Sequence, residues 1–507
     1  MAIGPNGSSN FGPVWGHFAS KDLVEWRHLD VAIWNDRSFD ATAIFTGSAT
    51  IVNGSVRLIY SAVCPRGGPS CPDPKCENVH DCKTKNLGMA SPASIEDPWL
   101  TNWTKRQIVF GATRDPSTAW QVQHPTSTEW RLTTFSGTIY NSFDFERWTA
   151  SGVLFEAAEC PSLFRLPRDV ANTSGNLPSH VRKFSNSQYP WQKEQQRGDY
   201  FQVGDYVPGA PNTTGTWRPS PGFGPAFVPT LMDAGPLYAS KDFQTKDGRR
   251  VVYGWITAGP SSILSLPREL LFDSRIGRVA GGGAALLQQP LAELKKLRRS
   301  PPLGVLGRLS TQAIAGSKRL LPRIQNWDSG RDAQDSEWVQ TLVEPLAEGK
   351  WVEVMSEWKR PNVSVNFFVD LFEPAPNTTT SNTTIGSRSR VQISYKHSDL
   401  DVYNVTAFVL GDTCPGMPYP VRKPAKEICS TSQVLISRAD TTISIHAFAD
   451  GTVIEAFFQG GRAALTARSS PMAQAEPAVG VSTGASSAIA VLESATAWSI
   501  RSMWNGS

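Results

Sequence analysis

Short apolar runs, some alternating with polar positions on a period of two, recur along most of the chain, with turn-forming residues between them. AIFTGSATIV (43–52), VRLIYSAV (56–63), RQIVFG (106–111), RLTTFSG (131–137) and RRVVYGWITA (249–258) all read this way. Successive side chains of a strand point to opposite faces, so this period predicts short β-strands. Helical periodicity is scarce. LLQQPLAELKKLRR (286–299) is the one convincing stretch, with Pro290 expected in its first turn. Up to residue 297 the runs suggest repeated four-stranded units, as in a β-propeller, although no repeat is literal. Residues 168–230 are polar and rich in Pro and Gly, and read as an elaborated surface loop. After Ser300-Pro301-Pro302 the texture changes. WVEVMSEWKR, VNFFVDLFE, RVQISYK, ISIHAFAD and TVIEAFFQG alternate cleanly and predict a β-sandwich at about 305–507. The expectation is an all-β chain, with a propeller over 1–297 and a linker plus C-terminal sandwich over 298–507.

Composition narrows the functional classes. Charged residues make up 19% of 507, and the formal net charge is +4 without a basic block, which argues against a nucleic-acid partner. The 17 Trp suit packing between sheets, or stacking of an indole on the C–H face of a sugar. No apolar run is long enough to span a bilayer, and MAIGPNGSSNFG lacks the basic and apolar regions of a signal peptide. Sequons argue for the secretory route all the same. They stand at Asn6, Asn53, Asn102, Asn172, Asn212, Asn362, Asn377, Asn382, Asn404 and Asn505, a density that suits N-glycans.

The cysteines point to the same compartment. Cys64, Cys71, Cys76 and Cys82 crowd one segment, Cys414 and Cys429 bracket another, and Cys160 stands alone. Six that pair and one that does not fits an oxidising environment. Zinc is the alternative for the four-Cys cluster, but its spacings lack CxxC knuckles.

Two acidic motifs carry the candidate chemistry: Arg114-Asp115-Pro116 in ATRDPSTAW, and Glu159-Cys160-Pro161 in FEAAECPSLF. Glycoside hydrolysis asks for two carboxylates, one to protonate the leaving oxygen and one on the opposite side of the reacting carbon. The acid needs a raised pKa, from burial or a neighbouring carboxylate. Either motif could instead be structural, as a turn with an ion pair or a salt-bridged Glu. Cys160 reads as a buried neutral thiol that shapes the site. His17 reads as structural.

The chain resembles glycoside hydrolase family 32, the invertases, fructan hydrolases and fructosyltransferases, and most of all the plant-type members. NFGPVWGHFASKDLVEWRHL, IFTGSAT, RDPSTAW, ECP, LYASKDF followed by YGWI, LPRELLFD, LLQQPLAEL and HAFADGTVIEAFFQGGRAALTAR match the family's motifs in order and spacing. The resemblance implies a five-bladed β-propeller followed by a β-sandwich, and release of terminal β-D-fructofuranosyl units from sucrose or fructans. It implies Glu159 as acid/base and Asp115 as transition-state stabiliser, with Arg114, Phe45, Ser48 and Phe11 contacting substrate. It implies no metal and no organic cofactor.

Three departures from the family pattern stand out. Family members open on a WMNDPNG-like strand whose Asp is the nucleophile. Here Gly4-Pro5-Asn6-Gly7 carries no Asp, and its distance from Trp15-Gly16-His17 suits a later turn of the family. The nucleophile is therefore expected upstream of Met1, with the first blade incomplete. Asp40, the acidic residue nearest FTGS, reads as ordering its loop rather than attacking sugar. Second, Val207 stands where plant invertases often have an acid, with Asp205 close by, so the choice among sucrose, levan and inulin stays open. Third, the Cys64–Cys82 segment is foreign to the family pattern and could hold a separate binding role. Alternatives to hydrolysis are fructosyl transfer, or sugar binding without turnover.

Overall fold

The computed structural model describes residues 12–64, 85–111, 113–171, 176–186, 197–220, 229–257, 263–277, 286–310, 338–343, 351–372, 388–410, 430–450, 453–468, 478–483 and 490–501. Five antiparallel sheets follow one another along the first part of the chain. The first has two strands among the described residues, Trp15–Ser20 and Trp26–Ile33. The second starts with Ala43–Val52, the third with Trp120–Gln123, the fourth with Glu159–Arg165 and the fifth with Leu237–Gln244. These four have four or five strands each.

Hydrogen bonds between neighbouring sheets close the ring. The Trp15 indole donates to the Phe45 carbonyl (3.0 Å), and the Ala119 amide to Thr50 Oγ1 (3.0 Å). The Ala158 amide donates to the Phe135 carbonyl (2.8 Å), and the Ser240 amide to Asp199 Oδ2 (2.7 Å). The Tyr253 hydroxyl donates to the Leu23 carbonyl (3.1 Å), which joins the fifth sheet to the first. The initial strands of the second to fifth sheets line a cavity of about 970 Å³, with Ile51, Trp120, Leu163 and Phe243 among its walls. This is the propeller arrangement, in which the first strand of each sheet lies innermost.

Two expectations fail here. Within residues 168–230, His180–Asn186, Gly198–Val207 and Thr216–Pro219 are strands of the fourth sheet. Val181, Phe184, Tyr200, Phe201 and Val203 are buried in them, and burial on both faces erased the alternation that would have marked them. The helix expected at 286–299 is mostly something else. Leu286–Pro290 is the last strand of the fifth sheet, paired with Arg268–Phe272, and Pro290 closes it where a missing N–H costs little. Only Ala292–Leu297 turns, as a 3₁₀ helix that buries Leu294 and Leu297.

The rest of the chain forms a β-sandwich. One sheet runs Gly304–Leu306, Val491–Ser499, Trp351–Lys359, Thr442–Asp450, Val453–Phe458, Ala463–Arg468. The other runs Trp338–Val343, Ala478–Thr483, Val365–Phe372, Arg388–Tyr395, Val402–Leu410, Ser430–Ser437. Val354, Trp358, Phe367, Ile393, Val434 and Ile445 interleave in the core between them. A buried ionic knot pins the sandwich to the fifth propeller sheet. Arg268 is 1% exposed and reaches both Asp233 Oδ2 (2.9 Å) and Glu455 Oε2 (2.7 Å). Thr466 donates to Asp233 from its amide (2.9 Å) and its hydroxyl (2.7 Å). No helix among the described residues is long and apolar enough to cross a membrane.

Candidate active site

The innermost strands of the second, fourth and fifth sheets are irregular where they begin. The register slips between Ile44 and Gly47, between Glu159 and Ser162, and between Tyr238 and Lys241. Such bulges re-aim side chains. Asp115 (φ 55°), Cys160 (φ 46°) and Ala239 (φ 49°) adopt left-handed backbone there, a strain that non-glycine residues accept only when surroundings enforce it. The irregular starts converge from several sheets, and the candidate residues sit on them.

Asp115 is buried, with 5% of its surface exposed. Its amide donates to Ser61 Oγ (2.7 Å), and its Oδ2 accepts from the Cys160 amide (3.2 Å). Burial pushes its pKa up, against the opposing pull of Arg114 and Lys241. Glu159 reaches the same point from the fourth sheet, with its side chain 20% exposed. The Arg114 guanidinium lies between the two acids, 2.5 Å from Glu159 Oε1 and 3.7 Å from Asp115 Oδ2, with Phe135 under it at 4.1 Å. The two motifs are thus one cluster: an acid open to solvent, an acid in the wall, and a cation shared between them.

The FTGS segment docks onto this cluster through its backbone and its serine. Ser61 Oγ donates to the Thr46 carbonyl (2.8 Å) while accepting from the Asp115 amide. Ser48 Oγ donates to the Pro116 carbonyl (2.8 Å). Ser48 therefore braces the RDP turn from the second sheet. Phe45 is partly buried beside it, its carbonyl taken by Trp15. Phe11 lies outside the described residues. Asp40 is fully buried, bonded to the Tyr60 hydroxyl (2.8 Å) and paired with Lys105 (2.7 Å), so it orders its loop. Cys160 is a free, buried thiol whose pKa is pushed up to about 12, chiefly by burial and then by Asp115. Cys64 is buried; Cys71, Cys76, Cys82, Cys414 and Cys429 lie outside the described residues. Asp205 accepts from the Ser179 amide (2.9 Å), and Val207 is 44% exposed.

Sequence reasoning missed several residues. The Tyr238 hydroxyl donates to Glu159 Oε2, and Arg197 lies over its ring at 4.4 Å. Lys183, Asp199 and Lys241 form a charged layer beneath the two motifs. LYASKDF is visible as a motif, but a Tyr or Lys in a strand gives no sign of its partner until the sheets are assembled. The axial cavity is a separate feature: its lining includes Ser162 to Arg165 but neither Glu159 nor Asp115. Among the described residues no group of three or more His, Cys, Asp or Glu could hold a metal ion.

Comparison with known proteins agrees with this arrangement. Residues 4–279 match the glycosyl hydrolases family 32 N-terminal domain, and residues 388–499 match the family 32 C-terminal domain. Curated relatives include the vacuolar acid beta-fructofuranosidase 4 of Arabidopsis thaliana, 29% identical over 329 residues, which is 57% of this chain and 44% of that protein. The vacuolar acid beta-fructofuranosidase 2 of a Rosa hybrid cultivar is 30% identical over 327 residues, 56% of this chain and 45% of that protein. The chain thus spans under half the length of these relatives. Among solved structures, fructan 1-exohydrolase IIa from Cichorium intybus superposes with a TM-score of 0.68 at 20% identity, covering 99% of this chain and 92% of that one. A glutamate-to-glutamine variant of that enzyme in complex with 1-kestose gives 0.66 at the same identity and coverage. By its matched domains, its propeller and sandwich and the order of its motifs, the chain belongs to glycoside hydrolase family 32.

Proposed function

We propose that the protein is a retaining glycosidase that releases terminal β-D-fructofuranosyl units from sucrose or a fructan. The observation that carries this reading is the Arg114-bridged pair of Glu159 and Asp115 at the convergence of the inner strands. Glu159, which is open to solvent and takes hydrogen bonds from Arg114 and Tyr238, is the acid/base: it protonates the leaving oxygen and later takes a proton from water. Asp115, held in the wall, binds sugar hydroxyls as positive charge develops on the ring. The scheme also needs a nucleophilic carboxylate, a role given to none of these residues. Arg114 and Phe45 contact the fructosyl unit, while Ser48 acts through Pro116. The reading keeps the division into domains at 297/298 and uses no cofactor. It places the protein on the secretory route, vacuolar or extracellular, and Asn53, Asn102, Asn212, Asn362 and Asn404 are exposed as N-glycans require.

The test is fructose release from sucrose, 1-kestose, inulin and levan, with Glu159→Gln as control and the anomer of the first product read by NMR. Release above the control, with β-fructose first, supports the reading. Release by these 507 residues alone would place the nucleophilic carboxylate among them. Fructan binding without turnover would favour a binding protein, and neither binding nor turnover would overturn the sugar site.

A further inference from the structure

Beneath the two acidic motifs lie two lysines that the reaction scheme does not use. Lys183 comes from the second strand of the fourth sheet and is fully buried. Its ammonium donates to the Ser240 carbonyl (2.7 Å) and, at longer range, to the Cys160 carbonyl (3.5 Å). Lys241 comes from the bulge of the fifth sheet and is partly buried. Its ammonium donates to the Pro116 carbonyl (3.3 Å), the same oxygen that Ser48 holds.

These acceptors have a common feature. Asp115, Cys160 and Ala239 are the left-handed residues of the site. Pro116 follows Asp115, Ser240 follows Ala239, and Cys160 is itself one of the three. A strained turn in a protein interior leaves carbonyls that the sheet ladder cannot satisfy, and each buried orphan is costly. An ammonium on a long stem can reach such oxygens from a neighbouring sheet, and it brings a charge that a serine would not.

We propose that Lys241 and Lys183 are positioning residues. Each anchors the carbonyls beside the strained turns of the site, and Lys241, held on the Pro116 carbonyl, in addition places a positive charge beside the Asp115 turn.

The charges around the pair fit the assignment. Lys241 faces Asp115, Asp242, the Cys160 thiol and Lys183. Asp115 faces Arg114, Lys241 and Glu159, besides the Cys160 amide. Asp199 accepts from the Ser240 amide (2.7 Å) and from Ser185 Oγ (2.6 Å) in the same layer. Burial lowers the Lys241 pKa and raises that of Asp115, so each is the other's counterweight. Without Lys241, Arg114 is the remaining cation among these groups beside Asp115, and it is shared with Glu159, while the Cys160 amide contributes a hydrogen bond alone.

The consequence for turnover rests on the proposed sugar site, but the test does not, because it needs no ligand. Protein labelled with ¹³C at aspartate carboxyls is titrated by NMR, and Asp115 is assigned by its loss in Asp115→Asn. Lys241→Met should move the Asp115 midpoint up by about one pH unit or more, the size of a lost neighbouring charge. Lys241→Arg should leave it near the parent value. If Lys241→Met does not fold, Lys241→Gln retains a donor to Pro116 without the charge and should shift Asp115 in the same direction. An unchanged midpoint in the neutral variants would overturn the role of Lys241. For Lys183→Met, amide exchange at Cys160 and Ser240 should accelerate about tenfold or more through local opening. Unchanged protection there would remove Lys183 from the proposal.

Discussion

Replacing Arg268 with Met should unpin the sandwich from the propeller. Arg268 is 1% exposed and serves two buried acids, Asp233 at 2.9 Å and Glu455 at 2.7 Å, as well as Thr466 Oγ1 (2.9 Å) and Gln288 Oε1 (3.1 Å). Methionine fills much of the volume, so the loss is one of charge. Breaking a buried pair on one side typically costs about 3–5 kcal/mol, because the remaining charge stays buried. Asp233 keeps its bonds from Thr466 and Gly235, and Glu455 keeps one from the Leu266 amide, so the two acids together stay within that range rather than doubling it. About 4 kcal/mol in all is the expectation. At about 2–4 °C per kcal/mol for a unit of this size, the melting transition of the sandwich should fall by about 8–16 °C. The pH dependence follows from sign. Burial already raises the Glu455 pKa, with Arg268 pulling the other way, so removing Arg268 raises it further. A carboxyl with a raised folded pKa is tolerated when protonated and destabilises when ionised. The deficit should therefore shrink between about pH 7.5 and about pH 5. Calorimetry at both pH values decides it, with Glu455→Gln added to Arg268→Met as a check, since it should restore part of the loss. A fall of less than about 2 °C that is insensitive to pH would show that the knot is not what joins the two units.

Two further predictions concern the site. Asp115→Asn should raise the melting temperature at about pH 7.5 while abolishing fructose release, because burial makes ionised Asp115 a cost to the fold. The amide oxygen can still accept from the Cys160 amide, and the gain should fade as pH falls and the parent carboxyl protonates; a variant less stable than the parent at neutral pH contradicts this. Tyr238→Phe removes a donor to the Glu159 carboxylate, worth about 1.5–3 kcal/mol for a bond to a charged group. It should lower kcat/KM for fructose release by about 10–100-fold with an unchanged melting temperature, and an unchanged kcat/KM would exclude Tyr238 from the reaction.

The legibility of this chain followed burial. Strands with one wet face, such as Trp351–Lys359 and Thr442–Asp450, alternate in sequence as they do in space. His180–Asn186 and Gly198–Val207 are buried on nearly every residue and are interrupted by polar connections, so the period-two signal vanished and a loop was the natural reading. Arg114, Asp115 and Glu159 could be found because they sit in short motifs whose spacing is informative. Tyr238, Lys183 and Lys241 could not be placed, because their partners belong to other sheets: 79 residues separate Tyr238 from Glu159, and 125 separate Lys241 from Pro116.

The same distances explain why such a site suits a ring of sheets. No single sheet holds an acid, its cation and its supports together. The second sheet supplies Ser48 and Ser61, the fourth Glu159 and Lys183, and the fifth Tyr238 and Lys241, while the RDP turn enters just ahead of the third. Glu159, Tyr238 and Lys241 flank bulges near the starts of inner strands, Ser48 follows one, and Ser61 and Lys183 reach in from second strands. The strain of Asp115 and Cys160 can be borne because bonds hold them on several sides: Ser61 holds the Asp115 amide and Ser48 and Lys241 the Pro116 carbonyl from other sheets, while Lys183 holds the Cys160 carbonyl from within the fourth. The two acids are therefore oriented by contacts from the second, fourth and fifth sheets. Asp115 should titrate as described whether or not the protein turns over sugar.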